Sequence, residues 1–493
     1  MHALIDILRA EAKRFGPELA RDAHTRGLAI TRPDGATRAI PVTATPVILD
    51  GAEIQRRAEA STLLSRAAFK MAQATLGGAN REIILSALSP MERRVAEATH
   101  AQLTGLATTR VDYFTSRGNP FALEVNATIP AMQGYSDIAA SAFIEHVGRH
   151  AGLDDRALAR IQALNGSNTL ALYRALLEGY AAQRGGAAPE RILLLCRRND
   201  AQLTEQRHLA ARFNELGTEA EVIHPDELSG EEWVEARGRK WDLVYRHLFV
   251  RRLEETPAPW VERFFSTFWK WKTVLLNPPS AQVEVKATFA LLSRALAEPS
   301  LAEAAALTED EIEAIRRFVP WTRLLDGGST VGPDGAPVED LVAFVSADPG
   351  RFVLKRSWDY GGKAVFVGRS VGTPSFEDRV RAAYGELLAW PALVHRAALD
   401  PAGGFVVQEY VDAEPEPHLL CTEGGVVPAE LYVDFSAYGS VQPGRLPAWG
   451  GVCRGSVSQI VNIVGGGGVL PLLTTEVADK LHTAFRAQLP NRR

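Results

Sequence analysis

Only three cysteines occur in the 493 residues, Cys196, Cys421 and Cys453, and they lie far apart with no CxxC pair. That scarcity argues against a disulfide framework and a thiolate zinc site, and it fits a reducing cytoplasm. No run of about 18 apolar residues is present, so no membrane span is expected. The opening stretch MHALIDILRAEAKRFG carries charges throughout, unlike the apolar core of a secretory leader. A basic excess is lacking too: 54 Lys and Arg stand against 59 Asp and Glu, a net charge of −5. A chain that works mainly on a nucleic-acid backbone needs a basic stripe, so that class is set aside. There is no GxGxxG or HExxH, and no internal repeat of fixed period. Gly362-Lys363 is followed by Ala364, so it is not a Walker A loop. These gaps remove dinucleotide binding and zinc proteolysis from consideration.

What remains is an ordinary globular composition, 46% hydrophobic and 23% charged. A chain of this length buries a substantial core in about two to four domains. Helical spacing runs through residues 2–26, 51–76, 91–103, 134–151 and 168–184, with an extended, proline-interrupted stretch at 38–50. After the linker Gly185-Gly186-Ala187-Ala188-Pro189 come RILLLC (191–196), a helix at 208–217, AEVIHP (220–225) and WDLVYRHLF (241–249). Strands alternating with a helix of crossover length predict a small parallel α/β unit over about 187–260. The aromatic stretch 259–272 reads as core packing. Later strands are expected at 351–355, 364–368, 404–411 and 452–464.

Four constellations could carry chemistry. The first is TRVDYFTSRGNPFALEVN (109–126), whose period of two around an Arg-Gly-Asn-Pro turn predicts a β-hairpin. Pairing about Gly118 places Asp112 near Glu124 and Arg110 near Asn126, all on one face unless a bulge at the turn shifts the register. Two carboxylates and an amide oxygen suit Mg²⁺, which takes a few hard oxygen ligands and leaves other positions to water and phosphate. Such a face is equally compatible with a solvated hairpin bearing cross-strand ion pairs. The second is FVLK (352–355) followed by RSWDYGGK (356–363). A strand ending in Lys355 before paired glycines places a cation near phosphates that main-chain amides can approach; a plain hairpin with a surface lysine has the same pattern. In the third, Phe405-Val406-Val407 ends at Gln408-Glu409-Tyr410, able to offer main-chain groups to an adenine edge and a carboxylate to a ribose, or simply a strand running into a loop. In the fourth, Arg454 sits amid small residues in GVCRGSVS (451–458), where its fork can bind two oxygens of a phosphoryl group. Asn277-Pro278-Pro279 precedes a helix bearing Lys286 and says little alone.

In this order the elements resemble the ATP-grasp superfamily, and specifically the circularly permuted synthetase domain of glutathionylspermidine synthase-like proteins. The resemblance covers about residues 50–475, and RVDYFTSRGNPFALEVNATIP (110–130) matches the family's R-x-D…G…E-x-N…P pattern in type and spacing. It implies an α/β (α+β) ATP-grasp fold with a small Rossmann-like pre-ATP-grasp domain, divided as 1–186, 187–272 and 273–493. By resemblance Asp112, Glu124 and Asn126 would ligate Mg²⁺, and Arg110 would steady the γ-phosphate or an acyl-phosphate. Lys286 looks like the first ATP lysine, although the usual Asn-Lys pair is Val285-Lys286 here. Lys355 looks like the second, with Gly361 and Gly362 in the loop covering the phosphates, where SWDYGGK replaces a serine- and glycine-rich pattern. Gln408, Glu409 and Tyr410 resemble the adenine hinge, and Arg454 the arginine that binds the transferred phosphate.

The activity so implied is an ATP-dependent carboxylate–amine ligase working through an acyl-phosphate, with a small-molecule acid and amine as partners. A phosphotransferase on the same fold, or a nucleotide-binding protein without turnover, are the alternatives. The family's amidase domain is not among these residues, so neither spermidine nor glutathione is assumed as substrate.

Overall fold

Residues opposite one another in three sheets account for most of what the sequence singles out. The structure is a computed structural model that describes residues 2–359, 362–400, 404–442, 450–463 and 466–488. Strands Thr109–Ser116 and Asn119–Asn126 form the expected hairpin. Arg117 and Gly118 at its tip take φ of 50° and 80°. Two consecutive left-handed residues make the tight turn whose twist matches that of the strands, and glycine supplies the second without strain. From the tip the pairs run Ser116–Asn119 to Tyr113–Ala122; then the register slips, Leu123 is the extra residue, and Asp112 faces Glu124 while Arg110 faces Asn126. The bulge therefore lies inside the strand and not at the turn, and the four polar residues keep the pairing that the sequence predicts.

This hairpin is the edge of a seven-stranded sheet. Thr109–Ser116 pairs antiparallel with the long strand Gly425–Gly439, which pairs in turn with Gly451–Ser456. Asp434 thereby sits directly opposite Arg454. The helix Gly51–Gly77, capped by Asp50 accepting from the Ala52 amide, packs across the sheet. Its buried Ala58, Ser61, Ser65, Ala68 and Ala72 are small enough for a close approach. Ser61 hydrogen-bonds Tyr113 at 2.9 Å and Ser65 accepts from Thr109 at 2.7 Å, which anchors the hairpin from behind.

A four-stranded antiparallel sheet, in the order Thr322–Leu324, Phe405–Glu409, Phe352–Arg356 and Val365–Val367, carries Lys355 and Gln408. The third sheet is parallel, ordered Val274–Leu276, Leu243–His247, Arg191–Cys196 and Glu219–Ile223. Its central run RILLLC is buried over Ile192–Cys196, as a parallel strand covered on both faces must be. Phe264, Phe265 and Trp271 of the aromatic stretch fill the core of this unit beside Trp241 and Val244. Asn277 does more than its sequence context suggests. Its side chain accepts from the Ala107 amide at 2.9 Å and donates to the Thr108 carbonyl at 2.6 Å, tying the end of the parallel sheet to the start of the hairpin.

The strand expected over 452–464 stops at Ser456. Ser456 Oγ accepts from the Ser458 amide at 3.1 Å and Ser458 Oγ from the Ile460 amide at 3.2 Å. These local side-chain bonds draw the backbone off the ladder. The glycine run is not described at Gly465, and Gly361 also lies outside the described residues. Among the described residues no helix is long and apolar enough to cross a membrane.

Candidate functional site

A cavity of about 530 Å³ opens between the seven-stranded and four-stranded sheets and reaches the parallel unit. Arg110, Asp112, Glu124, Asn126, Lys286, Lys355, Gly362, Gln408, Glu409, Tyr410 and Arg454 all line it. Every described site residue read from the sequence thus borders one space, although they come from strands more than 300 positions apart.

Its floor is a buried charge network. Arg110 grips Asp112 with two hydrogen bonds, Nε to Oδ1 at 2.7 Å and Nη2 to Oδ2 at 3.2 Å. Arg454 reaches Asp112 Oδ2 at 2.8 Å and also donates to both oxygens of Asp434. Two guanidinium groups facing two carboxylates keep the set neutral, which is what lets it stay out of water. Burial opposes ionisation of Asp112, but Arg110 and Arg454 together hold its carboxyl well below the usual range. Asp434 lacks the second arginine, and burial pushes it up to about 6 against the pull of Arg454. Asp434 was not legible as a site residue, because it lies in no motif and only the register between Gly425–Gly439 and Gly451–Ser456 sets it beside Arg454.

The roof carries the lysines. Lys355 donates to Gln408 Oε1 at 2.7 Å and to the Leu123 carbonyl at 3.2 Å, so the bulge residue of the hairpin is itself a contact between the two sheets. Burial lowers the Lys355 ammonium to about 8, with Glu124 resisting and Lys286 adding to the fall. Lys286 opens the helix Lys286–Ala295 and donates to the Asp359 carbonyl at 2.6 Å, with Glu124 at 3.4 Å. Its own amide bonds the Ser357 carbonyl at 3.0 Å, so the loop after Lys355 is tethered to the start of that helix. Gly362 takes φ of 72°, and a side chain there would collide with Ile460 from the irregular 457–463 segment.

Gln408, Glu409 and Tyr410 are more occupied than their pattern suggests. Gln408 is spent on Lys355 and on Thr322, and Glu409 pairs with Arg351 at 3.4 Å. The Glu409 amide donates to the Trp321 carbonyl and the Tyr410 amide to the Arg351 carbonyl, both at 2.8 Å. Tyr410 takes the amide of Gln459 on its hydroxyl at 2.9 Å, while Arg369 lies 4.3 Å over its ring. Beside them Val353, Val365 and Val367 give an apolar wall suited to a flat ring.

A hard divalent cation fits the donor set in part. Glu124 presents a carboxylate with Lys286 at 3.4 Å, and the Asn126 amide nitrogen is buried with no hydrogen-bond partner among the described residues. Both oxygens of Asp112, by contrast, are engaged by guanidinium groups. Among the described residues no three His, Cys, Asp or Glu side chains gather as a metal site, since the hairpin trio includes an amide. Glu284, unremarked in the sequence, also lines the cavity; its Oε2 accepts from the amides of Ala127 and Thr128 at 3.0 and 2.7 Å and so fixes the backbone just after Asn126.

No protein-family model and no curated protein matches this sequence. Among solved structures, the chain resembles a glutathione synthetase-like effector from Globodera pallida in its apo form: 12% identity, TM-score 0.60, covering 94% of this chain and 97% of that one. A candidate γ-glutamylcysteine synthetase from Methylobacillus flagellatus KT aligns at 11% identity over 86% of this chain and 96% of its own, but its TM-score of 0.40 carries no weight. With helices and strands in several sheets, this chain has an α/β fold that is similar over nearly its whole length to that of the glutathione synthetase-like effector.

Proposed function

We propose that this chain is an ATP-dependent carboxylate–amine ligase. The observation that carries the reading is the convergence, on one cavity, of a carboxylate and amide face, two lysines, a strand-end hinge and a buried arginine. Lys355 and Lys286 would bind the nucleotide phosphates from one side, the base lying on the valine wall beside Tyr410. With the Glu409 and Tyr410 amides already spoken for, the adenine edge would be met by main-chain groups from Val411 onward. Glu124 and Asn126, with Asp112 if it releases a guanidinium, would hold Mg²⁺, which offsets phosphate charge and polarises the phosphoryl oxygens when bound.

A substrate carboxylate would attack the γ-phosphorus; its oxygen gains the phosphoryl group and ADP leaves with the electron pair. Arg454 and Arg110 face the place where that charge develops and are already held in position by Asp112 and Asp434, so little reorganisation is needed. An amine would then add to the acyl carbon, lose a proton and expel inorganic phosphate, leaving an amide. The three cysteines are buried, and burial raises the thiol of each, so none is suited to act as a nucleophile. The loop after Lys355 and the 457–463 segment meet near Gly362, where closure would keep water from the acyl-phosphate.

A phosphate-release screen of carboxylates against amines tests the reading. The expected result is release of ADP and phosphate only with both an acid and an amine present, and at least about a hundredfold loss in Glu124→Ala and Arg454→Ala. ADP formation with a single alcohol or acid, giving a stable phosphorylated product, would replace the ligase with a phosphotransferase.

A further inference from the structure

Glu205 lies in the helix Leu203–Glu215 of the parallel unit and is fully buried, 0% exposed. It is not among the residues lining the cavity. Its Oε1 accepts from the Gly134 amide at 3.0 Å, in the first turn of the helix Gln133–His150. The residue before that helix, Met132, is left-handed at φ 87° and offers no side-chain cap. A carboxylate from another part of the fold thus supplies the cap that the local sequence lacks, at the positive end of the helix. Gly134 permits this, since a Cβ there would press on Glu205 Cγ and His208 Cδ2 at 3.2 Å each. The neighbouring Thr204 ties the same turn, hydrogen-bonding Tyr135 at 2.8 Å.

The other end of this turn reaches the active-site floor. The Ala131 carbonyl accepts from Arg110 Nη1 at 3.0 Å and from the Tyr438 hydroxyl at 3.2 Å, and Arg110 then grips Asp112. The contacts run unbroken from Glu205 through residues 131–134 to the Arg110 guanidinium. Among the described residues Glu205 Oε2 is buried with no hydrogen-bond partner, which capping the helix through Oε1 does not require.

The geometry points to Glu205 as a positioning residue for Arg110, acting through the Met132 turn to aim the guanidinium at the transferring phosphoryl group. Burial drives the carboxyl up to about 7, so a neutral amide is a fair substitute for it as an acceptor. The phosphoryl part of the inference rests on the ligase reading; the positional part does not.

Calorimetry with Mg²⁺ and either ADP or a non-hydrolysable ATP analogue gives the affinity gained from the γ-phosphate. The expected result is a gain cut about fivefold or more in Glu205→Leu, kept within about twofold in Glu205→Gln, and no further loss when Glu205→Leu is added to Arg110→Lys. An unchanged gain in Glu205→Leu, or an equal loss in the Arg110→Lys background, would overturn the inference. Hydrogen exchange at residues 131–136 supplies the second readout: faster in Glu205→Leu and near wild type in Glu205→Gln and Arg110→Lys. If wild type shows no gain from the γ-phosphate, the phosphate-binding reading of Arg110 fails, and the exchange data alone then decide whether Glu205 holds the turn.

Discussion

Arg454 is the side chain on which the buried charges balance. It faces two carboxylates, Asp112 and Asp434, both inaccessible to solvent. Arg454→Ala leaves one guanidinium against two buried acids, and breaking a buried pair from one side costs about 3–5 kcal/mol. Urea unfolding should show a loss of that size for Arg454→Ala and a clearly smaller one when Asp434→Asn removes the second charge with it. Lys355 predicts a pH effect. Burial disfavours its charge and lowers the ammonium to about 8. Phosphates would favour the charged form, so below about pH 7.5 ATP meets a lysine already protonated and its affinity should be flat. Above about pH 8 binding must take up a proton, so affinity should fall with rising pH. Calorimetry in two buffers of different ionisation heat reads the uptake directly, and Lys355→Arg, which stays charged, should abolish it.

Among the elements, the hairpin was the most legible in sequence and for a reason that the sequence hides. Its tip is shorter than symmetry about Gly118 requires, and the bulge at Leu123 restores the count before Asp112 is reached. Alternation of side chains, with period two, made the polar face readable; the bulge made the reading come out right. Deleting Leu123 should therefore do far more harm than Leu123→Ala. The deletion leaves the Asp112–Glu124 and Arg110–Asn126 pairs in register but takes away the bulge and withdraws the carbonyl that Lys355 uses, so nucleotide affinity should fall in a folded protein. The alanine variant keeps both. Gly362→Val combines a left-handed backbone with a collision against Ile460, and should lower nucleotide affinity without lowering Tm by more than a few degrees, because it lies in a cavity-lining turn outside the buried clusters. The hinge and the 452–464 strand were less legible. Whether an amide is free depends on what lies across from it, and Trp321 and Arg351 are remote in sequence. The serine bonds that end the strand at Ser456 compete with ladder bonds on terms that strand propensity does not register.

At the scale of the molecule, the order of motifs announced the fold before any coordinate, while the partners of each motif stayed hidden. Thr109–Ser116 pairs with a strand beginning at Gly425, and no local pattern encodes a contact over that separation. Glu205, Asn277 and the half-buried Glu284 belong to this class: each is polar and committed to a segment far away. The same long-range closure places the hairpin face opposite Lys355 and Lys286, and on that juxtaposition the functional account stands. It is tested most directly by titrating ATP into the wild type and into a Glu124→Gln, Asn126→Ala variant, with and without Mg²⁺. The account predicts that Mg²⁺ tightens ATP binding about tenfold or more in the wild type and leaves the variant unaffected. Equal affinities with and without Mg²⁺ in the wild type, or an undiminished Mg²⁺ effect in the variant, would contradict it.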